Sequence, residues 1–423
     1  MDFFRDYLAY TSGGESPLFY HRWAAICGLG AYLGRDYYFQ HGHFNINPNI
    51  YAMIIGVSGT RKSAAILQLK KVLQAAGYTS IAAEKTSKEK FILDLAGEDL
   101  NAFGSTSANG TDFLGEMLGQ PIYSGTEEND YKEISIIADE FNLFIGQNNM
   151  EFISLLGVLW DYNGPYKNRI KTGKSIEMLN PTVSILGGNT ATGFAQAFPP
   201  EILSQGFFSR LILVYGEPTG RKITFPKKPS KEDTNEIANQ FRSIKSISRG
   251  HADFANTAAE KLLDKIYKSG VGVDDYRFES YNSRRLTHLI KLCLIISAST
   301  GAKQITEGHI IVANTILSHT EHLMPKALGE FGKAKHSDIS HKIMQIIDAS
   351  APTGLLLKDI WIHVAQDLDS IPELAKLLQN LLAAGKIQNV HGYGFLPMKK
   401  LLIEHSSDTV DYSLLTEEER NTI

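Results

Sequence analysis

Gly56-Val57-Ser58-Gly59-Thr60-Arg61-Lys62-Ser63 stands between an apolar run, Ile50-Tyr51-Ala52-Met53-Ile54-Ile55, and a stretch of helical character from about Ser63 to Ala76 that Gly77 stops. A strand, a glycine-bearing turn and a helix in that order form a phosphate cradle. Glycines let backbone N–H groups approach the phosphates, a lysine meets the β- and γ-phosphates, and a hydroxyl at the helix N-terminus serves Mg²⁺. Lys62 and Ser63 fill the last two roles, and Gly56, Ser58, Gly59, Thr60, Arg61 and Ala64 complete the expected ATP-binding loop. Arg61 stands where the commonest pattern has glycine. The plainer reading is a Gly/Ser/Thr turn that caps an ordinary helix.

Downstream, Ile134-Ser135-Ile136-Ile137-Ala138 is a second apolar strand that ends in Asp139-Glu140. Two carboxylates at the C-terminal end of a parallel strand lie where open α/β sheets bind ligands. Asp139 is expected to hold Mg²⁺ and Glu140 to polarise the attacking water. An acidic pair in that place is otherwise a helix N-cap. A third strand, Thr182 to Leu186, leads through Gly187-Gly188 to Asn189, which could hydrogen-bond the γ-phosphate or the water, or could simply be a turn residue. The fourth is Leu211-Ile212-Leu213-Val214-Tyr215, with Thr79–Ala83 a further candidate. Short apolar strands alternating with helices predict an α/β fold, a parallel sheet between helices of the P-loop NTPase kind.

Outward from this core (47–230), the pattern predicts an N-terminal helical segment (1–46), a separate helical lid (231–334), and a unit of three helices plus a small hairpin with the shape of a winged helix (335–402). A flexible acidic tail (403–423) is expected at the end. Cys27 and Cys293 fall in apolar helical patterns and read as buried thiols of a reducing compartment.

Gly206-Phe207-Phe208-Ser209-Arg210 runs directly into the fourth strand. An arginine there is costly to bury unpaired, and it reads either as a finger supplied to a neighbouring subunit's γ-phosphate or as a surface ion pair. Here the residues resemble a known family. Gly56-x-x-Gly59-Thr60-x-Lys62-Ser63 is similar to the phosphate loop of minichromosome-maintenance (MCM) AAA+ helicases, which also lack the last glycine. Ser209-Arg210-Leu211 looks like their Ser-Arg-Phe finger, with Leu211 in place of the aromatic residue. Ser283-Arg284-Arg285-Leu286-Thr287-His288-Leu289-Ile290-Lys291-Leu292 is similar to their lid helix and implies a second-sensor role for Arg284. The arrangement, with Pro48-Asn49-Ile50-Tyr51 before the first strand, also resembles a P-loop family of phage and plasmid helicases or primase-helicases. The resemblance spans roughly residues 20–330 and the C-terminal unit, without a counterpart of the MCM N-terminal β-barrel. It implies an ATP- and Mg²⁺-dependent DNA helicase or translocase of a replication system, a hexameric ring acting on single-stranded or forked DNA in a bacterial cytoplasm, with a primase or other replication protein as a further partner.

The chain carries 42 Lys and Arg against 46 Asp and Glu, a net charge of −4, so DNA contact requires a local concentration of cations. Tyr166 to Ile176 reads as a β-hairpin turning at Thr172-Gly173, with Lys167, Arg169, Lys171 and Lys174 on it. In the helicases this chain resembles, a hairpin in this slot lines the central pore. The alternative is a solvated charged hairpin, and with it an ATPase that remodels or loads a protein partner, as a loader, regulator or packaging motor. The third helix of the C-terminal unit has few basic residues, which leaves partner binding or packing open there beside DNA contact. A hydrophobic share of 43% without a long uninterrupted apolar stretch predicts neither disorder nor a membrane span.

Overall fold

The computed structural model describes residues 3–97, 131–169, 175–329, 331, 335–368, 370–383, 387–390, 392–397 and 408–422. The chain divides into two compact units: Met1–Gly329 together with His405–Ile423, and Glu330–Glu404.

A four-stranded, all-parallel sheet organises the first unit. Its order is Glu133–Ala138, Thr182–Asn189, Tyr51–Ile55, Leu211–Tyr215, and a single parallel bridge from Ile81 to Ser135 extends the outer edge. Every residue of Tyr51–Ile55 and Thr182–Asn189 is buried, which is why both read as unbroken apolar runs: helices cover both faces. The helix Leu18–Leu33 packs on the sheet with all but its first residue buried. On the Thr79–Ala83 segment only Ile81 pairs with the sheet.

Residues 1–46 are not all helical. Helices Phe3–Thr11 and Leu18–Leu33 are followed by two antiparallel strands, Tyr37–His41 and Phe44–Ile46. Three successive aromatic residues, Tyr37-Tyr38-Phe39, with Tyr37 and Phe39 buried, favour a pleated, half-buried strand over a helix.

The helices after residue 230 are likewise not a lid set apart from the core. Arg285–Ser299 buries 13 of its 15 residues, and Lys291 near its middle reaches Asn47 and Asn49 beside the first core strand. A helix apolar on nearly every side must be surrounded.

The acidic C-terminal segment is not loose either. Glu417–Arg420 is a helical turn with a Thr416–Glu419 capping box, and the Glu419 carboxylate takes two hydrogen bonds from the Arg22 guanidinium at 2.6 and 2.7 Å. Leu18 N donates to Glu418 Oε1 at 2.9 Å, and Asn314 Nδ2 donates to Thr409 O at 2.8 Å. Burial opposes the charged form of Glu419, but Arg22 and Thr416 together hold the carboxyl below its usual range.

The second unit contains helices Lys335–Ala349, Leu357–Val364 and Ile371–Ala383, then an antiparallel pair, Ile387–Val390 and Gly394–Pro397, with Leu355 bridged to Phe395. Ile343, Ile347, Ile360, Val364, Leu374 and Leu378 form its own apolar core.

Candidate active site

Parallel register brings three sequence motifs to one edge of the sheet. Met53, Gly187 and Ala138 stand abreast, and Ile55 pairs with Asn189. One step beyond those residues lie Gly56, the Asn189–Thr190 turn, and Asp139-Glu140. The strand carrying Asn189 thus sits between the phosphate loop and the acidic pair. The close fit needs glycine: a Cβ on Gly188 would stand 2.3 Å from Asp139 O.

The loop turns into the Lys62–Ala75 helix through two left-handed residues, Gly59 (φ 89°) and Arg61 (φ 60°). Left-handed backbone costs a side-chain-bearing residue about 1–2 kcal/mol, and Arg61 tolerates it where glycine would not be strained. Its guanidinium points to Glu15, 2.9 Å away, and so anchors the loop from outside. Lys62 Nζ folds back onto the loop's own carbonyls, Gly56 O at 2.8 Å and Val57 O at 3.0 Å, and burial lowers its pKa. Beneath the loop the Tyr20 hydroxyl shares its proton between Ile55 O at 3.0 Å and Gly216 O at 2.8 Å. A Cβ on Gly56 would lie 2.3 Å from that hydroxyl.

Glu140 takes the N-cap position of the Phe141–Ile145 helix, yet its side chain makes no capping hydrogen bond. The exposed carboxylate is therefore not committed to a structural role. Asn189 is buried, its Oδ1 accepting from Thr190 N at 2.8 Å and its Nδ2 donating to Asn142 Oδ1 at 2.7 Å. Asn142 in turn donates to Gly193 O at 2.8 Å. Asn142 lies just past the acidic pair and holds the Asn189 amide at a fixed angle, with one N–H still to give.

The site fits a magnesium–polyphosphate group. The loop offers a helix N-terminus and an ammonium, and Gly59 faces open space, with nothing within 4 Å of a Cβ built there. Among the described residues no three His, Cys, Asp or Glu side chains converge. Ser63 and Asp139 offer one hydroxyl and one carboxylate, the donors suited to a Mg²⁺ that shares its remaining positions with phosphate oxygens and water.

Arg210 and Arg284 are not at this edge. Arg210 directly precedes Leu211, which pairs with Tyr51 at the start of the neighbouring strand, whereas Tyr215 pairs with Ile55. Five strand residues at about 3.3 Å each put roughly 16 Å between the two edges. The Arg210 guanidinium bonds to Gly206 O and lies 5.7 Å from the Trp160 ring centroid. Burial, and then the neighbouring Arg284 charge, lower its pKa. Arg284 Nε donates to Ser209 Oγ at 3.0 Å. The adjacent Arg285 goes the other way, into a buried pair with Glu321 at 2.9 Å.

Several residues around this second edge were not singled out from sequence. Lys291, with a side chain that is 0% exposed, donates to Asn47 O, Asn49 Oδ1 and Asp161 Oδ1 at 2.7–2.8 Å and lies 4.5 Å from the Trp160 ring. His288 Nε2 bonds to Ser209 O at 3.1 Å, and burial pushes the imidazole down to about 3, which keeps it neutral. His288 thereby holds the turn that carries Ser209 and Arg210. The available signal was a single lysine within Leu289-Ile290-Lys291-Leu292-Cys293-Leu294, since a charge on an all-apolar helix has to find partners.

The basic hairpin exists as strands Pro165–Arg169 and Ser175–Leu179, with Arg169 opposite Ser175. Lys167, largely exposed, is paired across the strands with Glu177 at 2.8 Å. Lys171 and Lys174 lie outside the described residues. No helix among the described residues is long and apolar enough to cross a membrane, and Cys27 and Cys293 are buried free thiols. The chain matches no protein-family model and no curated protein.

Proposed function

We propose that this protein is an ATP-hydrolysing motor that acts on DNA, a helicase or translocase assembled as a ring with its hydrolytic sites between subunits. The observation that carries the proposal is the division of one site over two edges of one sheet. Lys62, Ser63, Asp139, Glu140 and Asn189 gather at the C-terminal edge, while Arg210 and Arg284 stand together at the other. A strand's length apart, the arginines cannot reach their own phosphate loop. Placed instead against the loop of a second copy they would complete its site, and their separation from their own loop supports a ring built in this way.

Bound Mg·ATP supplies the phosphoanhydride bond to be cleaved and the cation that neutralises its oxygens. The chain does the rest. Lys62 exchanges the carbonyls of Gly56 and Val57 for phosphate oxygens, which are the stronger, charge-assisted acceptors. Glu140 accepts a proton from the attacking water, and the Asn189 amide fixed by Asn142 orients that water. Arg210 and Arg284 of the neighbouring copy stabilise the developing negative charge, an effect worth about 10³–10⁵ in rate in other phosphoryl-transfer systems. The Pro165–Leu179 hairpin grips single-stranded DNA through Lys171 and Lys174, and the second unit serves as a winged helix.

ATP turnover with and without single-stranded DNA, together with strand displacement on a fork, tests the reading. Wild type hydrolyses ATP faster with DNA, and Lys62→Ala and Glu140→Gln are inactive. Loss of the DNA response in Lys171→Ala/Lys174→Ala supports the grip. Hydrolysis indifferent to DNA moves the assignment to a motor working on a protein partner, and wild-type turnover in Glu140→Gln overturns the site itself.

A further inference from the structure

The chain that leaves the fourth core strand at Tyr215 emerges beside the phosphate loop, with Gly216 N bonded to Ile55 O at 3.1 Å. From Arg221 to Lys231 it reads Arg-Lys-Ile-Thr-Phe-Pro-Lys-Lys-Pro-Ser-Lys: five cations in eleven positions and no acid, in a chain that is negative overall. As a linker to the Lys231–Ile247 helix it would need neither those charges nor an aromatic side chain. Its inner edge is fixed at successive points against Gly13–Ser16. Thr219 Oγ1 donates to Glu15 O at 3.0 Å, Arg221 to Ser16 O at 3.1 Å, and Ile223 N to Glu15 Oε1 at 2.8 Å, while Lys227 lies against Gly13. Pro226 and Pro229 stiffen the second half of the segment. The outer edge is thereby held out to solvent. Lys222, Thr224, Lys227 and Lys228 are exposed, and Phe225 is 89% exposed, the highest value among the large apolar side chains of the described residues. No carboxylate among the described residues forms a salt bridge with Lys222 or Lys228.

Cations on both sides of an exposed aromatic ring are what single-stranded nucleic acid requires: charge for the phosphates, a flat face for a base. An exposed phenylalanine has no other evident reason to stand in such a run. We propose that this strap is a second single-stranded nucleic-acid contact, with a base stacked on Phe225 and backbone phosphates beside Lys222, Lys227 and Lys228. It rests on the DNA-acting reading above but uses residues remote from the hairpin. Glu15 also ties the strap to ATP chemistry, because one carboxylate holds both Ile223 N and the Arg61 guanidinium of the phosphate loop. A strand seated on the strap therefore lies one side chain away from that loop.

The test is a fluorescence-anisotropy titration of a labelled oligothymidylate with the full chain, over a series of salt concentrations. Phe225→Ala weakens binding roughly 5- to 150-fold, the range of one stacked base. Lys222→Ser/Lys227→Ser/Lys228→Ser reduces the slope of log affinity against log salt by about 2, for three lost phosphate contacts. All four side chains are exposed, so an unchanged melting temperature in each variant excludes misfolding as the cause. If wild type binds the oligonucleotide and both variants match it in affinity and slope, the strap is overturned and the DNA-acting reading survives. If wild type binds no oligonucleotide, both fall. Phe225-dependent binding to phosphatidylserine vesicles without oligonucleotide binding makes the strap a membrane contact and overturns the proposal.

Discussion

Arg284 donates from Nε to the hydroxyl of Ser209 at 3.0 Å, which seats it beside Arg210 on the sheet edge away from the phosphate loop. Two cations held next to each other repel, and burial together with the Arg284 charge lowers the pKa of Arg210. Such a pair persists because the surroundings dictate it: His288 fixes the Ser209 carbonyl, and Trp160 offers its face to Arg210. Arg284→Ala removes one of the two charges. The expected result is ATP binding by the protein close to wild type with turnover lowered at least tenfold, checked by nucleotide titration and steady-state hydrolysis. A change in ATP affinity alone, with turnover intact, would place Arg284 in a purely structural role.

Arg61 occupies a left-handed backbone position and gives its side chain to Glu15. Replacement by glycine relieves about 1–2 kcal/mol of backbone strain. It also removes a largely exposed ion pair, which contributes little, and frees the unfolded chain by up to about 1 kcal/mol. These nearly cancel. Arg61→Gly is expected to leave stability within about 1 kcal/mol of wild type by urea denaturation and to keep ATP binding. Loss of ATP binding would mean that Arg61 contacts the nucleotide rather than bracing the loop.

Gly56→Ala drives a methyl group to 2.3 Å from the Tyr20 hydroxyl and 2.8 Å from Gly216 O. The loop has to move, and ATP affinity should drop by tenfold or more. Tyr20→Phe alone forfeits a buried hydrogen bond, about 1 kcal/mol of stability. In the double variant the nearest obstructing atom is gone. Part of the lost ATP affinity should return, a non-additivity that residues in contact show and distant ones do not. Strict additivity in the titrations would contradict the bracing role given to Tyr20.

The C-terminal segment is fastened by a buried pair, with Glu419 Oε1 2.6 Å from Arg22 and side-chain exposures of 0% and 9%. Glu419→Gln strands the Arg22 guanidinium and should cost about 3–5 kcal/mol of stability, read by chemical denaturation. The pH dependence has a definite sign. The folded-state pKa of Glu419 is lowered from 4.5, so its contribution is complete above that value and vanishes as pH falls through the lower folded value. Protection of the 408–422 amides, taken relative to intrinsic exchange at each pH, should therefore fall below about pH 4 in wild type, but be low at every pH in the glutamine variant. Equal protection of the two proteins at neutral pH would refute the fastening.

The core was legible because its cues are local. A fully buried parallel strand cannot alternate, so Ile50–Ile55, Ile134–Ala138 and Leu211–Tyr215 stand out as apolar runs, and Gly56–Ser63 carries its chemistry in eight consecutive residues. The features that escaped depend on partners far away in the chain. Acidic composition after residue 403 reads as a mobile tail until Glu419 meets Arg22 across nearly the whole sequence. Lys291 reads as a lapse in an apolar helix until Asp161, Asn47 and Asn49 converge on it. The separation of Arg210 and Arg284 from the acidic pair is a matter of strand direction, which motif order alone does not convey. Lys167 reads as available to DNA because Glu177 pairs with it only once the hairpin register is known.

The central claim is that one subunit's phosphate loop is completed by another subunit's arginines, and mixing two inactive proteins tests it most directly. Arg210→Ala keeps an intact Lys62–Asp139–Glu140 edge, and Glu140→Gln keeps an intact Arg210–Arg284 edge. Each alone should hydrolyse ATP at a background rate. Co-assembled in equal amounts, the first supplies its loop to the arginines of the second, and ATP turnover should rise well above either parent. Mixed assemblies, verified by differently tagged copies, that stay as inactive as their parents would contradict a site shared between subunits.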